Sequence, residues 1–106
     1  MRAQPKLLLR EQDRSRIIAL LAKHLPQTTA LAYGSRVNAT AHETSDLDLA
    51  LKSSDGQPIE SQALGAFRQA LSDSNIPILV DARDWTRLPT SFRQEIERQH
   101  HALSPL

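Results

Sequence analysis

Leu31-Ala32-Tyr33-Gly34-Ser35-Arg36 and Ser45-Asp46-Leu47-Asp48-Leu49-Ala50-Leu51 are the two stretches that decide the fold of this chain. The first predicts a short apolar strand that ends at a Gly-Ser turn. The second alternates acidic and apolar residues, which predicts a strand buried on one face. Because neighbouring side chains of a strand point to opposite faces, Asp46 and Asp48 share one face and the three leucines share the other.

Around these stretches, the first half of the chain predicts one helix and two strands. Apolar residues recur at helical spacing over residues 10–25, and Pro26 ends that helix. Thr28–Tyr33 is predicted as the first strand, and its apolar character on both faces indicates a position inside the sheet. A short helix opening at Ser35 leads through a loop to the second strand, over residues 46–52.

The second half predicts two further helices and one strand. An amphipathic helix follows a turn and covers residues 58–73. The third strand is predicted over Ile76–Asp81, with Pro77 at its start or on a sheet edge. The last helix begins between Pro89 and Ser91, where a capping box is expected from Ser91 and Gln94, and its apolar face consists of Phe92, Ile96 and Leu103. This order predicts an α+β (mixed α/β) fold, a small mixed sheet with helices packed on it.

Length and composition narrow the class of protein. The 106 residues suffice for one domain, with residues 1–9 expected as a flexible arm. A net charge of +1 gives no reason to expect direct binding to nucleic acid. The absence of cysteine excludes disulfides and thiolate metal sites, and no apolar run approaches the ~20 residues of a membrane span. We therefore expect a cytoplasmic protein without membrane contact.

The paired carboxylates and the Gly-Ser turn indicate a site for a metal ion and a phosphate chain, as nucleotidyl transfer requires. Mg²⁺ prefers hard oxygen ligands, and a pair of metal ions can activate the attacking oxygen and neutralise the leaving one. Asp46 and Asp48 supply two carboxylates, and Asp81 is predicted as the third. All three are predicted to be catalytic residues and metal ligands. Gly34 lets the backbone approach a triphosphate, Ser35 offers a hydroxyl and an N–H, and Arg36 adds positive charge.

Each of these features also has an ordinary structural explanation. A lone Asp-x-Asp is more often a solvated strand edge than a metal site, and a lone Gly-Ser is usually a turn. Asp84 competes with Asp81 for the role of third carboxylate, because it lies only three residues further on. The combination of motif and predicted strand context favours the functional explanation.

With ten residues between Ser35 and Asp46, the pattern resembles the G-S-x(10)-D-x-D motif of the polymerase-β-like nucleotidyltransferase superfamily, in its minimal nucleotidyltransferase (MNT) branch. The resemblance implies a polymerase-β-like palm fold and Mg²⁺-dependent transfer of AMP from ATP, with two metal ions. Many minimal members are similar to antitoxins paired with a helical HEPN-domain ribonuclease, which they bind and adenylylate. Carried over, Gly34 and Ser35 bind the triphosphate, Asp46 and Asp48 the metal ions, and Asp81 is the third carboxylate.

Three functions remain open at this stage. The first is an enzyme that adenylylates a hydroxyl of a partner protein, expected to be a HEPN-type toxin. The second is a non-catalytic antitoxin that neutralises its partner by forming a complex. The third is a transferase acting on a small molecule of the aminoglycoside kind. Because so short a chain lacks a second domain to grip an acceptor, we expect either a hetero-oligomer with the partner or a homodimer.

Overall fold

The computed structural model describes residues 9–34 and 46–103, which form a four-stranded sheet and three α-helices. The helices are α1 (Glu11–His24), α2 (Ser61–Asp73) and α3 (Thr90–Arg98). The strands are β1 (Thr28–Tyr33), β2 (Leu47–Ser53), β3 (Val80–Asp84) and β4 (His101–Leu103), and a 3₁₀ helix at Trp85–Arg87 joins β3 to α3. The predicted arm, apart from Leu9, and the predicted short helix at Ser35 lie outside the described residues.

The sheet is mixed, as the sequence predicts, and its strand order is β3-β2-β1-β4. β1 pairs with β2 and with β4 in antiparallel fashion, whereas β2 and β3 are parallel. β1 therefore lies inside the sheet, which confirms the prediction made from its two apolar faces. The register sets Asp48 of β2 opposite Tyr33 of β1 on one side and opposite Asp81 of β3 on the other.

One face of the sheet carries the larger part of the core. The β2 leucines Leu47, Leu49 and Leu51 are fully buried beneath α1 and α2. From α1 and α2 come the apolar side chains that pack against them: Ile17, Leu21, Leu64, Phe67 and Leu71. Each fully buried leucine of this kind contributes about 1.5–3 kcal/mol through removal of apolar surface from water.

The opposite face is only partly covered. Leu31 and Ala50 pack there against Leu88 and against Ile96 of α3, with Tyr33 and Trp85 at the margin. Asp48 lies on this face two residues before Ala50, and it is half-buried. The alternation of acidic and apolar residues along β2 thus separates a dry face from a face that contacts solvent.

The third strand differs from its prediction. The sequence predicts a strand over Ile76–Asp81, but β3 begins at Val80 and continues to Asp84. Pairing with β2 begins with Leu47 opposite Val80, and Pro77 has no N–H to donate to a ladder. Asp81 consequently lies within the strand, and Asp84 ends it.

The predicted start of α2 and the predicted cap of α3 need correction, whereas α3 begins at Thr90, within the predicted range. The capping box of Ser91 and Gln94 is wrong, because Pro89 is the N-cap residue of α3 and its side chain cannot cap. α2 begins at Ser61 and not at Pro58, since the carboxylate of Glu60 accepts hydrogen bonds from the N–H groups of residues 62 and 63.

The C-terminal apolar residues also separate into two elements. Leu103, predicted on the face of the last helix, lies in β4 and is buried opposite Ala30 of β1. Of the predicted face, Ile96 is fully buried and Phe92 is 44% exposed. The helix stops at Arg98 because Gln99 takes an extended conformation, with φ −149° and ψ 111°.

Candidate active site

Asp48 is the centre of the candidate site, because its two neighbouring strands bring other motif residues beside it. Tyr33 ends β1 and is the cross-strand partner of Asp48, and Gly34 follows it directly. Asp81 is its partner on β3. Asp46 directly precedes β2 and is exposed to solvent. The fold thus brings Gly34, Asp46, Asp48 and Asp81 to one end of the partly covered face.

Gly34 allows the backbone to pass unusually close to the carboxylate of Asp48. Its φ of +81° lies in the left-handed region, which a residue with a Cβ rarely adopts. A Cβ at this position would also lie 2.6 Å from Oδ2 of Asp48. Both conformation and space therefore require glycine at the point where the sequence predicts the approach of a phosphate chain.

The carboxylate of Asp48 lies in a strongly negative environment. Burial raises the pKa of Asp48 above its ordinary value, and the charges of Asp81 and Asp46 raise it further, while Arg83 opposes them. The pKa of the Tyr33 phenol is raised as well, first by burial and then by the charge of Asp48. Because like charges gathered on one face repel each other, a bound cation would stabilise this group of side chains.

Arg83 is a member of this site that the sequence does not reveal. Its guanidinium contacts Asp81 twice, with Nε 3.1 Å and one terminal nitrogen 3.0 Å from the same oxygen, Oδ2. Residues 81 and 83 share a strand face, so the spacing of two is the one signal in the sequence for the pair. The other carboxylate oxygen of Asp81, Oδ1, is not part of this contact.

Asp84 has a different role from that of Asp81. Its side chain is buried on the face that packs against the helices, where Oδ2 accepts a hydrogen bond of 2.9 Å from Ile59 N–H. Oδ1 accepts hydrogen bonds from the N–H and the hydroxyl of Thr86, both at 2.9 Å. Asp84 therefore joins the start of α2 to the 3₁₀ helix, and its oxygens point away from Asp48.

The donor set fits Mg²⁺ in its chemistry. Three carboxylates supply hard oxygen ligands, and Mg²⁺ retains several waters, so it does not require a closed cage of protein ligands. Within residues 9–34 and 46–103, no group of three or more His, Cys, Asp or Glu side chains is placed so that it could hold a metal ion. Ser35 and Arg36, predicted to bind the nucleotide, lie outside the described residues.

Two cavities flank the site on opposite sides. A cavity of about 480 Å³ lies at the outer edge of β3, and Asp81, Arg83 and Arg87 contribute to its wall. A smaller cavity of about 240 Å³ lies beside Gly34 and is lined by Tyr33, Gly34, Phe92, Glu95 and Gln99. Asp48 stands between the strands that carry these two cavities.

No helix within the described ranges is both long enough and apolar enough to cross a membrane.

Comparison with known proteins supports the same fold. The family model for polymerase beta nucleotidyltransferases matches residues 15–104. A relative from Haemophilus influenzae, described as a probable protein adenylyltransferase MntA, is 32% identical over 93 residues, which are 88% of this chain and 80% of the relative.

Solved structures agree as well. A toxin-antitoxin complex with AMP-PNP contains a chain that is 26% identical to this one, with a TM-score of 0.70, and the match covers 88% of this chain and 73% of the other. An MntA-HepT toxin-antitoxin complex, at 21% identity, supports the fold alone, with a TM-score of 0.66 over 92% of this chain and 74% of the other. The mixed sheet and the close approach of Gly34 to Asp48 are consistent with the family match. The chain belongs to the polymerase-β-type nucleotidyltransferases.

Proposed function

We propose that the protein transfers AMP from ATP to a hydroxyl group of a partner protein, and that it acts as the antitoxin of a HEPN-type toxin. The observation that carries the proposal is the arrangement around Asp48. A left-handed backbone that strongly favours glycine approaches this carboxylate at the end of β1, and a second carboxylate, Asp81, lies opposite it on β3. Such an arrangement is typical of a site that binds phosphate and cations together.

In the proposed reaction, the acceptor hydroxyl oxygen attacks the α-phosphorus of ATP. A phosphorus–oxygen bond forms, the bond from the α-phosphorus to the bridging oxygen breaks, and pyrophosphate leaves with that electron pair. Mg²⁺, when bound, would neutralise the phosphate charges and lower the barrier for both oxygens. We assign the acceptor proton to Oδ1 of Asp81, because Arg83 contacts the other oxygen of that carboxylate.

The roles of the remaining residues follow from their positions. Asp46, Asp48 and Asp81 would hold the metal ions. Gly34, together with Ser35 and Arg36, would bind the triphosphate close to the backbone. Because attack occurs in line, the acceptor and pyrophosphate lie on opposite sides of the α-phosphorus. We assign the triphosphate to the β1 side of Asp48 and the acceptor to the β3 side, where the larger cavity adjoins Asp81.

A protein acceptor is supported by the relatives. The Haemophilus relative carries the description of a protein adenylyltransferase, and its MntA name recurs in a solved complex with HepT. A partner protein would supply the acceptor hydroxyl.

The test is intact-mass spectrometry of the protein encoded beside this chain, after incubation of the two with ATP and Mg²⁺. A gain of one or more AMP units, ~329 Da each for transfer with loss of pyrophosphate, is expected. Asp48→Asn should abolish the gain. Asp73→Asn is the matched control, because this exposed carboxylate at the end of α2 contacts only Gln69 among the described side chains.

Other outcomes would favour the other functions. A stable complex without any mass gain would contradict catalysis and support a non-catalytic antitoxin. Absence of both complex and mass gain, with ATP consumed when aminoglycosides are supplied, would support a small-molecule transferase.

A further inference from the structure

The larger cavity, at the outer edge of β3, is lined by three arginine side chains. It measures about 480 Å³, which lies within the range of about 300–1,000 Å³ typical of ligand pockets. β3 is the last strand on this side of the described sheet, so the cavity opens along a strand edge. Arg68 comes from α2, Arg83 from β3 and Arg87 from the 3₁₀ helix. Three separate elements thus bring positive charge to one cavity.

Arg68 is held in place without losing its charge. Its Nε and one terminal nitrogen donate hydrogen bonds of 3.0 and 2.7 Å to the carbonyl oxygen of Ala82, which is an uncharged acceptor. These bonds fix the guanidinium against the edge of β3, and a guanidinium has several further N–H groups that can contact a ligand. Arg68 is therefore a preorganised cation on the cavity wall.

Arg87 is more accessible than Arg83. Its side chain is 70% exposed, compared with 48% for that of Arg83. Nε of Arg87 lies 3.8 Å from Oδ2 of Asp84, which is too far for a hydrogen bond. Both oxygens of Asp84 already accept hydrogen bonds from backbone N–H groups. Arg87 can therefore bind an incoming anion without breaking a strong contact.

The carboxylates of the cavity wall do not neutralise the three guanidinium groups. There are two of them, Asp81 and Asp84. Asp84 is only 2% exposed, and its oxygens are engaged in hydrogen bonds within the protein. The cavity is thus net positive, although the whole chain has a formal net charge of only +1. A concave surface of one sign of charge attracts ligands of the opposite sign, in this case anions.

The kind of anion follows from the other residues of the wall. Ile59, Leu64 and Leu88 add apolar surface, which suits the methylene groups of an acidic side chain. The described residues of the lining include no aromatic ring on which a nucleic-acid base could stack. An arginine can bind a carboxylate through two parallel hydrogen bonds. A peptide segment that contains Asp or Glu therefore fits this cavity better than RNA does.

The cavity also adjoins the position assigned to the acceptor. Asp81, whose Oδ1 is assigned the acceptor proton above, is part of the same wall. An extended peptide advances about 3.3 Å per residue, so a segment with its hydroxyl group at Asp81 reaches the arginines within about four residues. The acceptor and the anion can thus belong to one short segment of chain.

We propose that Arg68, Arg83 and Arg87 form an acceptor-recognition site, which binds an Asp or Glu side chain within about four residues of the acceptor hydroxyl. The inference rests on the proposed function and specifies its acceptor: a hydroxyl-bearing residue in an acidic segment of the partner protein. Specificity for the acceptor would thus come from the outer edge of β3.

The experiment is a steady-state measurement of AMP transfer to the protein encoded beside this chain, with the full chain, ATP and Mg²⁺. Intact mass gives the rates, and tandem mass spectrometry locates the modified residue. Arg87→Glu should raise the KM for the partner about fivefold or more, because repulsion replaces attraction, and it should leave the KM for ATP unchanged. Arg87→Gln, which adds no negative charge, should have a smaller effect in the same direction.

Arg98→Glu is the matched control. Arg98 is 72% exposed, much like Arg87, but it ends α3 and does not line the cavity. Its substitution should change neither KM. A charge exchange supplies the second test. Lys in place of the acidic residue beside the acceptor should weaken transfer by the wild-type chain and restore transfer by Arg87→Glu.

The failures are distinguishable. Wild-type protein that transfers no AMP would contradict the proposed function itself and the acceptor-recognition site with it. Normal transfer with the same KM for the partner in Arg87→Glu would overturn the acceptor-recognition site alone, as would a modified residue without Asp or Glu nearby in its segment. A raised KM for ATP, with an unchanged KM for the partner, would also overturn it and assign the cavity to the nucleotide phosphates.

Discussion

Gly34 lies so close to Asp48 that a Cβ on Gly34 would be 2.6 Å from Oδ2 of Asp48. The two residues come from neighbouring antiparallel strands, and the register sets Tyr33 directly opposite Asp48. The close approach therefore depends on β-sheet pairing and not on local sequence. Gly34 is thus required for two reasons, its left-handed backbone and the lack of a Cβ beside Asp48. The two reasons can be tested separately.

Gly34→Ala should impair both stability and transfer. The left-handed backbone should lower the free energy of unfolding by about 1–2 kcal/mol, and displacement of the Asp48 carboxylate should add to this loss. AMP transfer to the partner should fall at least tenfold. Both effects can be measured by urea unfolding and by intact mass.

Gly56→Ala is the matched control for this substitution. Gly56 has a similar φ of +75°, but a Cβ there would meet nothing within 4 Å. It should show the conformational loss of stability with normal transfer. Equal effects of the two substitutions on transfer would contradict a special role for Gly34.

Asp48→Asn should abolish transfer and leave the fold intact. Because the pKa of Asp48 is raised in the folded protein, its ionised carboxylate destabilises the fold at neutral pH. The variant should therefore unfold at a temperature equal to or higher than that of the wild type at pH 7. This difference should vanish as the pH falls through the raised pKa towards the ordinary value of 3.8, where the wild-type side chain becomes neutral too.

Thermal unfolding between pH 3 and pH 8 checks the Asp48 prediction. Asp73→Asn, which alters an exposed carboxylate far from the site, is the control. A strongly destabilised Asp48→Asn protein at pH 7 would assign this residue to the core and remove it from the site.

Substitutions of Asp81 and of Asp84 should have different effects on stability and on AMP transfer. Asp84→Ala leaves the N–H groups of Ile59 and Thr86 without their acceptor, so the free energy of unfolding should fall by about 2–4 kcal/mol. Asp81→Ala removes a side chain that is 37% exposed, and it should reduce stability by less than about 1 kcal/mol while abolishing transfer. Urea unfolding and the transfer assay together decide this. The opposite pattern would make Asp84 the third carboxylate.

Arg83 should weaken metal binding at Asp81. Its positive charge lies about 3 Å from Oδ2 of that carboxylate, so Arg83→Gln should raise the affinity for Mn²⁺ several-fold at low ionic strength. Paramagnetic resonance titration of free Mn²⁺ measures this directly. Arg87→Gln removes an equal charge beside buried Asp84 and should have a smaller effect. Identical changes in the two variants would indicate a general charge effect without a specific contact at Asp81.

The sequence by itself determined the strands that carry the motif. The alternation of Asp46 through Leu51 predicts which side chains are buried, and Leu47 and Leu49 are indeed fully inaccessible. The apolar character of β1 correctly predicts an interior strand, because a strand with apolar residues on both faces is covered on both sides of the sheet, which is typical of the middle of a sheet. The periodicity of apolar residues is a local property, so it can be recognised without knowing which strands and helices pack together.

The tertiary structure alone decided which groups meet. The bounds of β3 depend on its parallel pairing with β2, and this pairing separates Asp81, on the face of Asp48, from Asp84, buried on the other. The contact of Arg83 with Asp81 and the cavity between β1 and α3 arise in the same way. Contacts between residues distant in sequence depend on register and helix docking, and these result from packing of the whole core rather than from any local pattern.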